Sequence, residues 1–152
     1  MTRVLIESRP PLDPELAALV AAQQREIGES GVSSSKTFAP DDDSAYLVAV
    51  VDGRAVACAA WRALADGVAE LRRMYVRPSY RGRGIARQLI VAVEEDTLAA
   101  GRPVIRLETG RTLAASIALY RSSGYTPIPA YGEYAGNPHS LCFEKRLAAL
   151  VQ

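Results

Sequence analysis

Arg81, Gly82, Arg83 and Gly84 stand between a strand-like run, ELRRMYV (70–76), and an apolar run that opens at Ile85. This pattern suits the binding of a phosphate or pyrophosphate. The two glycines let the backbone come close to a ligand. The first N–H groups of a helix have no intrahelical acceptor, and the helix dipole favours an anion beside them. Arg81, Arg83 and Arg87 add positive charge, and no Asp or Glu occurs from Leu71 to Val93. The stretch lacks the Gly-Lys-Ser/Thr ending of a P-loop, and Arg87 stands where a dinucleotide fingerprint needs a third small residue.

The strand before the turn carries a second signal. Ala69 and Leu71 are apolar at odd positions, whereas Met74 and Val76 are apolar at even ones. A strand alternates with period two, so one extra residue near Arg72 and Arg73 reconciles the halves. That is a β-bulge, which leaves backbone groups without ladder partners and available to a ligand.

The surrounding elements follow from periodicity. RVLIES (3–8) reads as a strand. A helix is expected over about 14–29, with Asp13 as N-cap, Pro14 in the first helical position, and Leu16, Leu19, Val20, Gln23 and Ile27 on one face. The stretch 28–44 reads as a long polar loop. Asp52-Gly53 and Asp66-Gly67 mark two hairpins, giving an antiparallel meander of strands near 45–51, 54–63 and 68–76. A helix over about 83–100 ends at Gly101, a strand follows at 103–109, and a short helix over 113–124 closes at Gly124. YTPIP and SLCFEKRL (140–147) read as the last strands. This order predicts an α/β sandwich with a partly parallel sheet.

The 152 residues carry a net charge of +1, so the chain as a whole offers no general attraction to nucleic acid or to a membrane surface. The length predicts one domain spanning 1–152. No apolar run reaches the roughly 18–20 residues that span a bilayer, and the Pro-broken N-terminus does not read as a signal peptide. A cytoplasmic location is the expectation. Cys58 and Cys142 lie in apolar runs without metal-ligand spacing to each other or to His139, so they read as buried thiols and no metal is expected.

Arg81-Gly82-Arg83-Gly84-Ile85-Ala86, following ELRRMYV, together with LETGRTLAASIALYRSSGY (107–125), resembles the GCN5-related N-acetyltransferase (GNAT) family. The resemblance extends over about 3–147. It implies an α/β fold with a mixed, mostly antiparallel sheet splayed at a β-bulge and helices on both faces. It implies acetyl-CoA as co-substrate and a small-molecule or peptide amine as acceptor, with direct transfer in a ternary complex. A homodimer is compatible with it; nucleic acid, membrane and metal have no part.

By the same resemblance, the backbone of Met74, Tyr75 and Val76 pairs with the pantetheine arm, and an N–H near Val76 polarises the thioester carbonyl. The backbone of Gly82, Arg83, Gly84, Ile85, Ala86 and Arg87, following Arg81, cradles the pyrophosphate. Tyr120 matches the tyrosine near the sulfur and is the candidate general acid. Glu70 and Glu108 match two glutamates that serve as base in different branches, and ordered water stands beside them as a third option. Leu113 departs from the pattern, because many relatives carry an Asn there that bonds the pantetheine arm.

The acidic residues Glu29, Asp41, Asp42 and Asp43 are candidates to attract a cationic amine, and Tyr131 and Tyr134 to line the opposite wall. Two other classes stay open on sequence alone: a catalytically silent acyl-CoA-binding regulator on the same fold, and an RNA- or protein-binding module that uses the arginine patch.

Overall fold

The computed structural model describes residues 3–29 and 43–148, with no account of the Glu29 side chain. Seven strands form one sheet: β1 (Val4–Arg9), β2 (Ser44–Val51), β3 (Arg54–Ala65), β4 (Val68–Val76), β5 (Val104–Gly110), β6 (Thr126–Ile128) and β7 (Ser140–Arg146). Their order across the sheet is β1-β2-β3-β4-β5-β7-β6. The β4–β5 pair is parallel and the other pairs are antiparallel. Among the described residues three α-helices cover it: α1 (Pro14–Glu29), α2 (Ile85–Ala99) and α3 (Ala114–Ser122).

The helix termini obey their sequence signals. The Asp13 carboxylate accepts from the Leu16 N–H at 3.0 Å, which caps α1 and contributes about 1 kcal/mol. At the far end of α2, Gly101 takes φ +77°, and the Arg102 N–H returns to the Thr97 carbonyl at 2.8 Å. Only glycine adopts that conformation without steric cost. Asp52 and Gly53 both have positive φ, as the two-residue hairpin turn requires.

Both faces of the sheet are covered, which explains why β2 reads as an unbroken apolar run. Leu47, Ala49 and Val51 join a core cluster with Ile85, Leu89, Ile90 and Val93 of α2. Tyr46, Val48 and Val50 join a second cluster with Leu16, Leu19 and Val20 of α1. The three α1 side chains are wholly buried and contribute roughly 1.5–3 kcal/mol each. α3 adds Ile117, Leu119 and Tyr120 to the α2 side.

The bulge lies where the parity slip places it. Cys58 pairs with Tyr75 and Ala60 with Arg72, so two β4 residues, Arg73 and Met74, face one on β3. Arg73 has φ +56°, a strained conformation for a long side chain, costing on the order of 1–3 kcal/mol. The Cys58 thiol donates to the Arg73 carbonyl at 3.3 Å and offsets part of that cost.

Candidate functional site

β4 and β5 pair over only three residues, from Val68↔Val104 to Glu70↔Arg106. Beyond Glu70 they part. β5 continues against β7, and β4 bends away at the bulge. The wedge between them forms a cleft with two arms that share Glu26, Met74, Tyr75 and Ser116.

Strand alternation decides which backbone groups face the wedge. The Arg77 N–H donates to the Val56 carbonyl of β3 at 2.9 Å, so the N–H and C=O groups of Val76 and Met74 point to the opposite edge. There the Met74 carbonyl accepts from Gln23 Nε2 at 3.0 Å, and the Val76 carbonyl accepts from Arg81 Nε at 2.8 Å. The same alternation turns the Tyr75 backbone toward β3. Its ring lies in the core on the α1 side, with the Arg81 guanidinium 5.6 Å from the ring centre.

The first arm, about 370 Å³, runs along Met74, Tyr75 and Val76 to Arg81, Gly82, Gly84, Ile85, Ala86 and Arg87. Gly84 caps α2 at φ +79° with no side-chain cap, which leaves the first helical N–H groups turned outward. A Cβ added at Gly82 or Gly84 would meet nothing within 4 Å, so each glycine borders open space. This backbone fits a pyrophosphate, and the β4 edge leading to it, unpaired with β5 beyond Glu70, fits an extended amide-bearing arm. Arg87 binds Ser122 Oγ at 2.6 Å and ties α2 to α3. Arg83 stacks over Tyr80 at 5.1 Å and is not part of this lining.

The second arm, about 220 Å³, is walled by Gln23 and Ile27 of α1, Leu71 to Tyr75 of β4, Glu108 to Gly110 of β5, and Leu113 and Tyr120. Tyr120 and Glu108 therefore come together. Burial pushes the Tyr120 phenol well above its ordinary value, and the nearby Glu108 charge pushes it further. It is held as an O–H donor. Glu108 accepts from the Ser140 hydroxyl at 2.6 Å, which fixes its orientation.

Glu70 lies outside both arms. It is 1% exposed. Its Oε1 takes Arg62 at 3.0 Å and Arg72 at 3.6 Å, and its Oε2 accepts from Tyr131 at 2.6 Å. Burial, followed by the Glu70 bond, pushes the Tyr131 phenol far up. Tyr134 packs edge-on to Tyr131 and is pushed up to about 12 by burial, then by the Glu70 charge. Burial likewise pushes the Cys58 thiol up to about 12 and raises that of Cys142, so neither is a ready thiolate nucleophile.

Two features go beyond the sequence reading. Gln23 reads from spacing only as a member of the buried α1 face, yet its amide holds the bulge edge. Arg81 reads as a phosphate cation, yet its guanidinium is bound to Val76 and to Glu26. The bulge itself was the available signal for Gln23, since a broken ladder needs side-chain partners. Of the acidic loop, Asp41 and Asp42 lie outside the described residues, as does the Glu29 side chain. No described helix is long and apolar enough to cross a membrane.

Comparison with known proteins agrees with this geometry. Residues 14–125 match the model of the Acetyltransferase (GNAT) family. The chain is 34% identical over 154 aligned residues to the IAA acetyltransferase of Azospirillum brasilense, covering 97% of this chain and all of that protein. It is 37% identical over 101 residues to the N-acetylaspartate synthetase of Xenopus tropicalis, covering 64% of this chain but only 37% of that protein's length. A crystal structure from Klebsiella pneumoniae, assigned by its name as an acyl-CoA N-acyltransferase, superposes with a TM-score of 0.83 at 30% identity, over 95% of this chain and 98% of that one.

Proposed function

The chain belongs to the GNAT acetyltransferase family, and from that premise we propose that it transfers the acetyl group of acetyl-CoA directly to a primary amine within a ternary complex. The observation that carries this reading is the continuity of the two arms. The glycine-rich turn and the β4 edge line one arm, Tyr120 and Glu108 line the other, and the two arms meet at Glu26, Met74, Tyr75 and Ser116.

Each residue then has a chemical task. The backbone of Gly82 to Arg87 holds the pyrophosphate, and the wedge-facing edge of β4 at Met74 and Val76 aligns the pantetheine arm. The Val76 N–H, directed into the wedge, stabilises negative charge on the carbonyl oxygen as the amine adds. An ammonium has no lone pair, so Glu108 takes its proton, directly or through one water. As the C–S bond breaks, the leaving sulfur gains an electron pair and a proton from Tyr120, and the second proton of the added nitrogen, now cationic, passes back to the phenolate directly or through water. Glu70 is engaged on both oxygens and stands behind the site as a structural carboxylate. The raised thiols of Cys58 and Cys142 favour transfer without an acetyl-cysteine stage.

Two measurements test this. Acetyl-CoA and CoA, but not ATP, are expected to raise the melting temperature. The stabilisation is RT ln(1 + [L]/Kd), about 2.7 kcal/mol at a hundredfold excess over Kd. Initial velocities with an accepted amine are expected to give intersecting double-reciprocal lines. Parallel lines would require an acetyl-enzyme and would sink the direct-transfer scheme.

A further inference from the structure

Resting on the reading of Tyr120 as the acid, we propose that Glu94 is a positioning residue for that tyrosine. With Lys145 and Tyr125 it fixes the turn that follows α3, and so the line along which the phenol donates.

Tyr120 stands in the last turn of α3 and is buried. Its phenol is subject to burial and to the Glu108 charge, without a hydrogen bond from any described side chain. Its direction is therefore set by its own backbone and by the groups packed on its ring. Both lead to the same cluster. The Tyr120 carbonyl accepts from the Ser123 N–H at 3.1 Å and from the Tyr125 N–H at 3.0 Å. The buried Tyr125 ring meets the Tyr120 ring edge-on, with centres 6.0 Å apart and planes at 68°.

Glu94 of α2 gathers this turn. Its Oε2 accepts from the Tyr125 hydroxyl at 3.0 Å. Lys145 Nζ of β7 donates to its two oxygens at 3.1 and 3.0 Å. The same ammonium donates to the Ser123 carbonyl at 2.9 Å and lies 5.6 Å from the Tyr125 ring centre. The turn passes close over the lysine: a Cβ at Gly124 would meet Lys145 Cε at 3.4 Å. The Glu94 side chain is 15% exposed and that of Lys145 27%. These charge-assisted bonds are therefore shielded from much of the screening that weakens a surface pair.

The position of the cluster ties it to the reaction. None of its three residues lines either arm, so they act through Tyr120 and not on a ligand. The helix that carries Glu94 opens at the glycine-capped turn assigned to the pyrophosphate, about 14 Å along the axis from Ile85 to Glu94. α2 thus seats the cofactor at one end and the turn of the acid further along. Arg87, which lines the first arm, binds Ser122 Oγ at 2.6 Å and adds a second tie from the same helix to the end of α3. A misplacement of about 1 Å can cost about a hundredfold in rate, and supporting contacts of this kind keep a donor within that tolerance.

The test is a free-thiol assay with acetyl-CoA and the best acceptor from a panel of L-amino acids, their amides and alkylamines. It is run on Glu94→Gln and Tyr125→Phe, each made in the wild-type and in the Tyr120→Phe protein. Both substitutions nearly keep side-chain volume, and Tyr125→Phe keeps the ring packing should Glu94→Gln fail to fold. In the wild-type background kcat per folded molecule is expected to fall about tenfold, with the KM of acetyl-CoA unchanged. In the Tyr120→Phe background the same substitutions are expected to change kcat by less than about twofold, because the group they aim is already gone. An equal fold-loss in both backgrounds would mean a general loosening of the fold and would overturn the inference, as would an undiminished kcat in the wild-type background. A Tyr120→Phe protein as active as the wild type would overturn the acid and this inference with it, leaving acetyl transfer standing. Thermal stabilisation by acetyl-CoA without thiol release from any amine of the panel would overturn the acetyl-transfer reading and the inference together.

Discussion

Arg81 Nε lies 2.8 Å from the carbonyl oxygen of Val76, and Nη2 of the same guanidinium holds the Glu26 carboxylate of α1. One side chain thereby joins the end of the bulged strand, the glycine-rich turn and the first helix. The Glu26 pair is about half exposed and contributes under about 1 kcal/mol. The partly buried, charge-assisted bond to Val76 is the larger contribution, about 1.5–3 kcal/mol.

Arg81→Lys should therefore act before any ligand is present. A lysine ammonium cannot serve two directions with the geometry of a guanidinium fork. The expected result is a melting temperature lowered by several degrees, at about 2–4 °C per kcal/mol for a chain of this size, together with a raised KM for acetyl-CoA. If Arg81 were solely a phosphate ligand, the ligand-free protein would melt unchanged.

The sequence makes the frame of the site legible because each piece rests on a local rule. The parity slip between Leu71 and Met74 marks the bulge, Asp13 and Pro14 mark the start of α1, and Asp52-Gly53 marks the first hairpin. The partners of those pieces are set by tertiary packing and are not legible in that way. Nothing in the spacing says that the Gln23 amide turns to Met74, 51 residues away, or that Glu70 is closed off by Tyr131, 61 residues away. The choice between Glu70 and Glu108 has the same origin. Both are carboxylates on adjacent strands, and only the point at which β4 and β5 part puts one inside the wedge and the other behind it.

Gly84→Val should abolish acetyl-CoA binding through two effects. A β-branched residue at φ +79° is strained, by roughly 1–2 kcal/mol, and its side chain occupies the space beside the α2 N-terminus. Gly53→Val is the control. Gly53 has φ +77° and equally open surroundings, but it lies in the β2–β3 turn. Both variants are expected to lose stability, and only Gly84→Val to lose CoA affinity, as titration calorimetry would show. Equal CoA affinity in the two would remove the turn from the cofactor site.

Tyr120→Phe should lower kcat by about a hundredfold, the usual weight of a general acid, with little change in the KM of acetyl-CoA. Its pH dependence has a definite sign. Burial and the Glu108 charge both raise the phenol above its ordinary value of 10.0, so the proton stays on as pH crosses that value. The wild-type kcat should show no alkaline fall centred at 10. A fall there that disappears in Tyr120→Phe would mean that the phenol titrates as an exposed tyrosine.

Glu108→Gln and Glu70→Gln should separate chemistry from stability. Glu108 lies in the wedge and accepts from the Ser140 hydroxyl, and the amide replacement keeps its volume and an acceptor oxygen while removing the base. The expected result is a near-normal melting temperature and a kcat lowered by about a hundredfold at neutral pH. Part of that loss should be recovered as pH rises, because an aliphatic amine sheds its own proton as pH approaches about 10. Glu70→Gln instead leaves Arg62 and Arg72 facing a neutral amide in a buried network. Breaking one side of such a network costs about 3 kcal/mol or more, so this variant should melt much earlier while each folded molecule turns over at close to the wild-type rate. Melting curves and active-site-normalised kcat on the two proteins decide the matter. A stable Glu70→Gln with collapsed turnover, beside a fully active Glu108→Gln, would transfer the role of base to Glu70.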